Sequence, residues 1–499
     1  MRRSLAFAVL NFMIGIVLMY FSIDLGIVYT ALYLGILALI YKAFFEQRIR
    51  YCFFTLLGCI LMLLSILGHY NAERMPFVSR EAICRGYISA ESIDKFGMPV
   101  YECEVKEVVF NSKIYNQQVY KVKLSTKEKC RYSMIGERVN FRAKLNIPEA
   151  NDDKRNYRRY LYSKGIDYKT SCRKLEISKV GVYDSAKIRF TVIKFINDKK
   201  NLFLANLDLH SRGYFAGIIF GEKNLIDSEI IDEFQGNGTA HILAVSGLHI
   251  GIIYMVYKWV KTRFKLGNST DIILVLMLII YVILASFSVS IIRAVLIILL
   301  KIIADKMVMR FDFLTAISTA LLVSLLLNPY SIFDMGFQLS FLSALIIDFI
   351  FPHIRRTKHE RILGIMALPI CLGAYNIVCF GRFSLIAVLA NSPVIFLMSI
   401  YVPLGIVSFF IYFMSDYFPK ILHILITTLG DITYTVNHSF NILQRGAIEV
   451  EYNNVKLVFM LYAFIFFVAS EYFYIKVVSR HNPKPCIGFI IASLIAMTI

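Results

Sequence analysis

The chain lacks the short motifs that announce soluble enzyme chemistry. There is no GxxxxGK[ST] run, which excludes nucleotide hydrolysis through a P-loop. There is no HExxH, no HxHxDH and no acidic metal cluster, and nine scattered histidines do not assemble a di-metal nuclease. CxxC pairs are missing, and no Cys/His group has zinc spacing. Neither a metal nor a cofactor is expected. Charge is scarce as well, at 18% of 499 residues against 57% hydrophobic. That balance excludes a soluble enzyme.

What the chain does have is apolar length. Runs of about 20 residues recur from end to end, each able to cross a hydrocarbon core of about 30 Å. Spans are predicted near 5–22, 25–42 and 52–69, and again near 241–260, 271–288, 290–308, 313–328, 336–353, 362–380, 384–400, 401–415 and 455–475. The first run follows Arg2 and Arg3 as a signal peptide would, but it is too long and has no small-residue cleavage site, so it reads as a retained anchor. The stretch from Ile421 to Gln444 is too polar to span and is expected along the outer interface. The last run, Ile487 to Ile499, is short for a span.

Net charge is +19, and its placement sets the topology. If Arg2 and Arg3 are cytoplasmic, alternating spans put five later clusters inside, as the positive-inside rule requires. These are Lys42 to Arg50, Lys258 to Lys265, Lys301 to Arg310, Arg355 to Arg361, and Lys476 to Lys484. The same alternation puts the long polar segment, about 70–205, outside. The expected fold class is a polytopic α-helical membrane protein with an extracytoplasmic small β-barrel domain. Four parts are predicted: N-terminal spans at 1–69, the external domain at 70–183, amphipathic connecting helices at 184–240, and a membrane domain at 241–499.

The external segment alternates with period two. Tyr120, Val122 and Leu124 interleave with Lys121 and Lys123, and Val139, Phe141, Ala143 and Leu145 with Arg138, Asn140, Arg142 and Lys144. Such strands bury one face and here turn a basic face outward. Further strands are predicted at Ala82–Ser89, Val100–Phe110 and Tyr168–Ile177, with a helix from Asn156 to Lys164 before the last. About five strands and one helix suit an OB-type barrel, a fold that holds single-stranded nucleic acid on a basic, aromatic-dotted face. Lys121, Lys123, Arg138, Arg142 and Lys144 are the candidate DNA contacts, and Tyr120, Tyr157, Tyr160 and Tyr162 can stack bases or pack the core. A solvated face, or attraction to anionic membrane lipid, explains the same charge without nucleic acid. Cys84, Cys103, Cys130 and Cys172 permit two disulfides, with 84–103 and 130–172 the favoured pairing, or serve as small buried residues.

The most distinctive stretch is His241-Ile-Leu-Ala-Val-Ser-Gly-Leu-His-Ile250. Polar groups facing lipid lack partners, so His241, Ser246, Gly247 and His249 point to a bundle interior or a wet path. Arg293, Gln338, Ser340 and Asn391 extend that polar seam; Arg293 either snorkels to the outer interface or meets phosphate. Ser246 and His249, three apart, also fit an intramembrane hydrolase. The nucleophile-elbow pattern, however, needs glycine where Ala244 stands, and no third residue orients the histidine.

These ten residues, with Gly238-Thr-Ala240 before them, closely resemble the signature of the ComEC family. The likeness continues in order through Pro148, Asn156-Tyr157, Tyr160-Leu161 and Gly165-Ile166. It resumes at Phe220-Gly-Glu222, Phe234 to Thr239, Ser290 to Ala294, Asn328-Pro329, Gly336 to Phe341, and Phe383-Ser384 to Asn391. Asn156 departs from the family's usual aspartate. The resemblance implies an inner-membrane channel that conducts single-stranded DNA into the bacterial cytoplasm during transformation, fed by an OB-like domain outside. An external DNA receptor and a cytoplasmic helicase-like ATPase are the implied partners. Many relatives add a C-terminal metallo-β-lactamase-like nuclease, and this chain stops before one, so a separate nuclease is a further expected partner, and either a natural short form or a truncated gene is expected. The rival readings are a secondary transporter of another anionic polymer or lipid, and the hydrolase.

Overall fold

The computed structural model describes residues 4–25, 50–93, 99–116, 118–126, 135–148, 152–172, 176–177, 185–222, 225–243, 245–267, 269–285, 287–354, 360–380 and 386–444. The predicted spans at 25–42 and 455–475, the cluster at 476–484 and Cys130 lie outside these residues. The chain divides into two compact units, one of Met1–Asn206 with Leu266–Phe337 and one of Leu207–Lys265 with Gln338–Ile499.

In the first unit, α1 (Ser4–Leu25) and α2 (Arg50–Glu73) pack closely. The contact is built on glycine. A Cβ on Gly15 would stand 2.0 Å from the Thr55 carbonyl oxygen, and one on Gly58 2.2 Å from that of Phe12. Small residues that let backbones touch are the usual means of joining helices in lipid, where no hydrophobic drive separates side chain from solvent.

The polar segment that follows folds as the period-two pattern requires. Its strands are β1 (Glu81–Ile93), β2 (Pro99–Phe110), β3 (Lys113–Tyr115), β4 (Tyr120–Thr126), β5 (Arg138–Lys144), β6 (Tyr168–Cys172) and β7 (Glu176–Ile177). They form one sheet in the order β6-β4-β2-β1-β5-β7, with β3 paired to β2. All pairs are antiparallel except β4 with β6. The sheet curls on itself: Asn146 bridges to Lys169, and Thr170 Oγ1 donates to the Lys144 carbonyl at 2.6 Å. Tyr101, Val122, Leu124, Val139, Phe141 and Tyr168 fill the inside, each 4% exposed or less. The predicted helix appears as α3 (Asp152–Ser163) between β5 and β6.

Cys84, Cys103 and Cys172 are buried thiols, so the expected 84–103 disulfide does not form. The register explains why. Cys84 lies opposite Val108 and Cys103 opposite Ile88. Four residues along a strand separate them by about 13 Å, beyond the Cα spacing a disulfide bridges. Burial pushes the Cys84 thiol up to about 12.

The sheet is fastened to the helices of its unit through the end of α3. Asn328 Nδ2 donates to the carbonyls of Tyr162 (2.8 Å) and Ser163 (3.0 Å), and its Oδ1 caps the 3₁₀ turn Pro329–Phe333. His69 stacks on Tyr162 at 3.9 Å and meets Asp167 at 3.3 Å. Lys164 pairs with Asp334 at 2.5 Å. The unit continues through α4 (Ser185–Ala205), α8 (Thr270–Leu284), α9 (Val289–Lys306) and α10 (Phe313–Leu327).

The second unit contains α5 (Leu209–Phe215), a π-helical turn (Ala216–Phe220), α6 (Ser228–Gly236), α7 (Gly247–Arg263), α11 (Met335–Ile354), α12 (Glu360–Phe380), α13 (Ala387–Ser415) and α14 (Lys420–Gln444); α11 begins in the first unit. Two predicted spans, 384–400 and 401–415, are one helix, α13. It runs 29 residues through Pro393 and Pro403 without breaking. Freed carbonyls of a Pro-containing helix are tolerated where neighbouring protein satisfies them. Among the described residues, four helices are long and apolar enough to cross a membrane: Ser4–Phe21, Phe53–Glu73, Met335–Pro352 and Leu389–Ser415.

Candidate functional site

The distinctive stretch is a capped turn rather than a helix from its first residue. Asp208 caps α5 by accepting from the Ser211 N–H at 3.3 Å. The helix then widens into the π turn, all five of whose residues are buried, and stops at Gly221 with φ 80°. Single π turns recur at functional sites. A Cβ on Gly221 would lie 3.0 Å from Val245 Cγ2, so glycine here meets both the left-handed backbone and the approach of the signature.

After α6 the chain turns through Asn237, Gly238 (φ 68°) and Thr239. Asn237 and Thr239 are wholly buried, as is Asn437 on α14. Asn237 Nδ2 donates to the Asn437 carbonyl at 2.8 Å, and Thr239 Oγ1 donates to Asn437 Oδ1 at 2.7 Å. At the next residue of α14, the exposed His438 Nδ1 meets Glu233 of α6 at 2.9 Å. A Cβ on Gly238 would come 2.4 Å from that of Ala387. The approach to the signature is therefore pinned between α13 and α14. No spacing rule in the sequence singles out Asn437, and its partners lie about 200 residues away.

His241 is exposed, while Ile242, Leu243 and Val245 are buried. Ser246 then caps α7: its Oγ accepts from the Leu248 N–H at 3.2 Å, and His249 Nδ1 accepts from the Ser246 N–H at 3.2 Å. This is a capping box with histidine in the place of the usual Glu or Gln. Ser246 Oγ also lies 3.1 Å from Nδ1. Because Nδ1 accepts a backbone N–H, the ring proton belongs on Nε2. That nitrogen faces the backbone of Ile218 in the π turn, without closing a hydrogen bond of standard geometry. His249 is only 2% exposed.

The remaining seam residues are placed separately. Gln338 on α11 accepts from the Tyr375 hydroxyl of α12, and Ser340 is half-buried on a different side of α11. Asn391 on α13 is buried two residues before Pro393. Gly247 is the first residue of α7. Arg293 belongs to the first unit and is 6% exposed, enclosed by protein rather than extended to a surface.

On the sheet, Lys121, Lys123, Arg138, Arg142 and Lys144 all occupy outward positions, with Arg142 and Lys144 exposed and the others half-buried. Lys123 stands beside Lys169 in the parallel β4/β6 pair, and Lys169 in turn bridges toward the end of β5 near Lys144. Arg138 and Arg142 lie along β5 opposite Tyr87 and Ile83. Of the aromatic candidates, Tyr120 and Tyr162 are buried, whereas Tyr160 is 44% exposed.

Fold and site together define a membrane protein in which long apolar helices accompany a curled, outwardly basic sheet and a buried polar turn. The family model described as competence protein matches residues 218–472, which include the end of the π turn, the signature and α14. The chain belongs to this family, of the ComEC type. It is 30% identical over 244 residues to ComE operon protein 3 of Bacillus subtilis (strain 168), covering 47% of this chain and 30% of that protein. An uncharacterized protein of Aquifex aeolicus (strain VF5) is 25% identical over 243 residues, covering 43% of this chain and 57% of the relative. The aligned part is thus less than two thirds of either relative. No solved structure matches the chain significantly.

Proposed function

We propose that this chain is a multi-pass conduit of the bacterial inner membrane that passes single-stranded DNA into the cytoplasm during transformation. The family match over the signature carries this reading. Its N-terminus is cytoplasmic and its sheet domain outside; the alternation of Lys and Arg clusters supports this orientation. The curled sheet acts as an OB-type receiving domain; strand order, closure and the outward row of Lys121, Lys123, Arg138, Arg142 and Lys144 support it. An external receptor delivers the strand, a cytoplasmic helicase-like ATPase pulls it, and a separate nuclease removes its complement. His241, Gln338, Ser340 and Asn391 belong to the path, with Ser246, Gly247 and His249 shaping its wall.

The chain acts without a covalent step. The Ser246–His249 contact is accounted for by helix capping, and Nε2 faces a peptide group where a triad would place a carboxylate. Deleting the gene and scoring labelled DNA in a nuclease-protected cytoplasmic pool tests the proposal. Loss of the protected pool is expected, and undiminished entry overturns it.

A further inference from the structure

Two tyrosines and two lysines on the sheet unit are arranged in a way that core packing does not require. Tyr157 and Tyr160 are three apart on α3 and share a face, with ring centroids 6.4 Å apart and planes 25° from parallel. The other tyrosines nearby are committed elsewhere. Tyr101, Tyr120 and Tyr168 fill the sheet interior, Tyr87 stacks on Phe190, and Tyr162 stacks on His69. Over the Tyr157 ring stand the ammonium groups of Lys123 at 5.8 Å and Lys169 at 5.7 Å.

These two lysines are direct neighbours in the parallel β4/β6 register. Adjacent strands run about 4.8 Å apart, and like charges so placed repel. Among the described residues neither ammonium meets a carboxylate at ion-pair distance, although Glu102 lies opposite Lys123 on β2. Lys164, over Tyr160 at 5.5 Å, is by contrast neutralised by Asp334. The patch therefore offers a flat aromatic surface at its edge and an uncompensated pair of cations beside it. Two neighbouring cations suit one phosphate, and the 44%-exposed ring of Tyr160 suits the base beside it. Duplex DNA, with its bases stacked inside, cannot use the ring.

We infer that Tyr157 and Tyr160, with Lys123 and Lys169, form a nucleotide subsite that stacks a base and brackets its phosphate, selecting single-stranded DNA. This rests on the DNA-handling reading above; it adds Lys169 to the candidate contacts and, of the four candidate tyrosines, assigns the stacking role to Tyr157 and Tyr160. The test uses the full chain in zwitterionic nanodiscs, with fluorescence anisotropy on a labelled oligo-dT, an abasic strand of equal length, and oligo-rU.

The wild type is expected to hold oligo-dT about tenfold more tightly than the abasic strand, since base–aromatic stacking is sequence-tolerant and substantial. Tyr157→Leu with Tyr160→Leu removes that preference and leaves abasic binding unchanged, whereas Tyr160→Phe keeps it. Lys123→Gln with Lys169→Gln weakens both strands alike and lowers the log–log salt slope by roughly 0.7 per lost phosphate contact. Equal wild-type affinity for oligo-dT and the abasic strand overturns the subsite while leaving DNA handling intact. Failure to bind either strand removes both readings. Tighter binding of oligo-rU reassigns the patch to RNA and overturns it as well.

Discussion

The sheet and the signature turn solve opposite problems with polar residues. On β4 and β5 every charged side chain points outward, and the inward positions are Val, Leu, Phe, Ala and Tyr, with Thr126 at the strand end. Around the signature, the exposed His241 apart, polar side chains go inward: Asn237, Thr239, Asn437 and His249 are buried and hydrogen-bonded to each other or to backbone. Charge left in water is cheap to keep and free to meet a partner. A buried amide is costly unless paired, and once paired it fixes geometry. One region is built to present charge; the other is built to hold a short turn in place within an apolar bundle.

The sharpest way to break the comparison is topological, and its outcome is all or none. In a cysteine-free background, single cysteines at Lys121 and at Arg263 are expected to differ completely toward an impermeant thiol reagent in intact cells. Position 121 labels and position 263 does not. The reverse pattern would mean that the basic sheet faces the cytoplasm, and the receiving role would fall with it.

Next in size is Asn437→Leu. It deletes the Oδ1 that accepts from the buried Thr239 hydroxyl and leaves that hydroxyl only the Phe234 carbonyl at 3.2 Å, a loss of about 1 kcal/mol. The Asn437 carbonyl survives the substitution, so the main loss is through Thr239 and through the leucine's bulk against Asn237. Thermal unfolding in detergent should drop markedly, and DNA entry with it. A melting point equal to wild type would show that the turn holds itself without α14.

Arg142→Glu with Lys144→Glu sharpens the other half. Both side chains are exposed, so stability should move by no more than about 0.5 kcal/mol per site. Affinity for single-stranded DNA should fall, with the fall largest at low salt. Unchanged affinity would reassign these two residues to a solvated face and confine binding to the β4/β6 side.

The two regions also differ in how far the sequence discloses them. Alternation over Tyr120–Leu124 and Val139–Leu145 predicts strands, burial and the basic outer face, because period two is a local property. Helix α3 and the strands around it follow the same logic. The signature's polar residues are conspicuous, yet their partners are not. Asn437 lies in a stretch that reads only as too polar to span, and its contact with Asn237 is a product of tertiary packing. The π turn is marked only by Gly217 and Gly221, neither of which specifies i→i+5 bonding. The expected disulfide failed for a related reason: pairing depends on register, and cysteine spacing along the chain does not encode it. Spans expected at 384–400 and 401–415 are one helix, because packing within the unit keeps α13 whole through Pro393 and Pro403, where local rules favour a break.

The smallest expected effect falls on the residue that most resembles a nucleophile. Ser246→Ala removes the acceptor for the Leu248 N–H at the first turn of α7. Losing an N-cap side chain costs about 1 kcal/mol. The other half of the capping box survives, because His249 Nδ1 accepts from the backbone N–H of position 246, which alanine retains. DNA entry should therefore fall by less than about tenfold, and the thermal midpoint should shift only slightly. His249→Ala, by contrast, empties a site that is 2% exposed and frees the Ser246 amide, so it should be the more damaging of the two. Were serine to attack a substrate, the order would reverse, with Ser246→Ala abolishing activity in a protein of normal stability. Measuring uptake and melting together for both variants separates the cases. A stable, wholly inactive Ser246→Ala protein that serine-reactive probes no longer label would replace the conduit with a hydrolase.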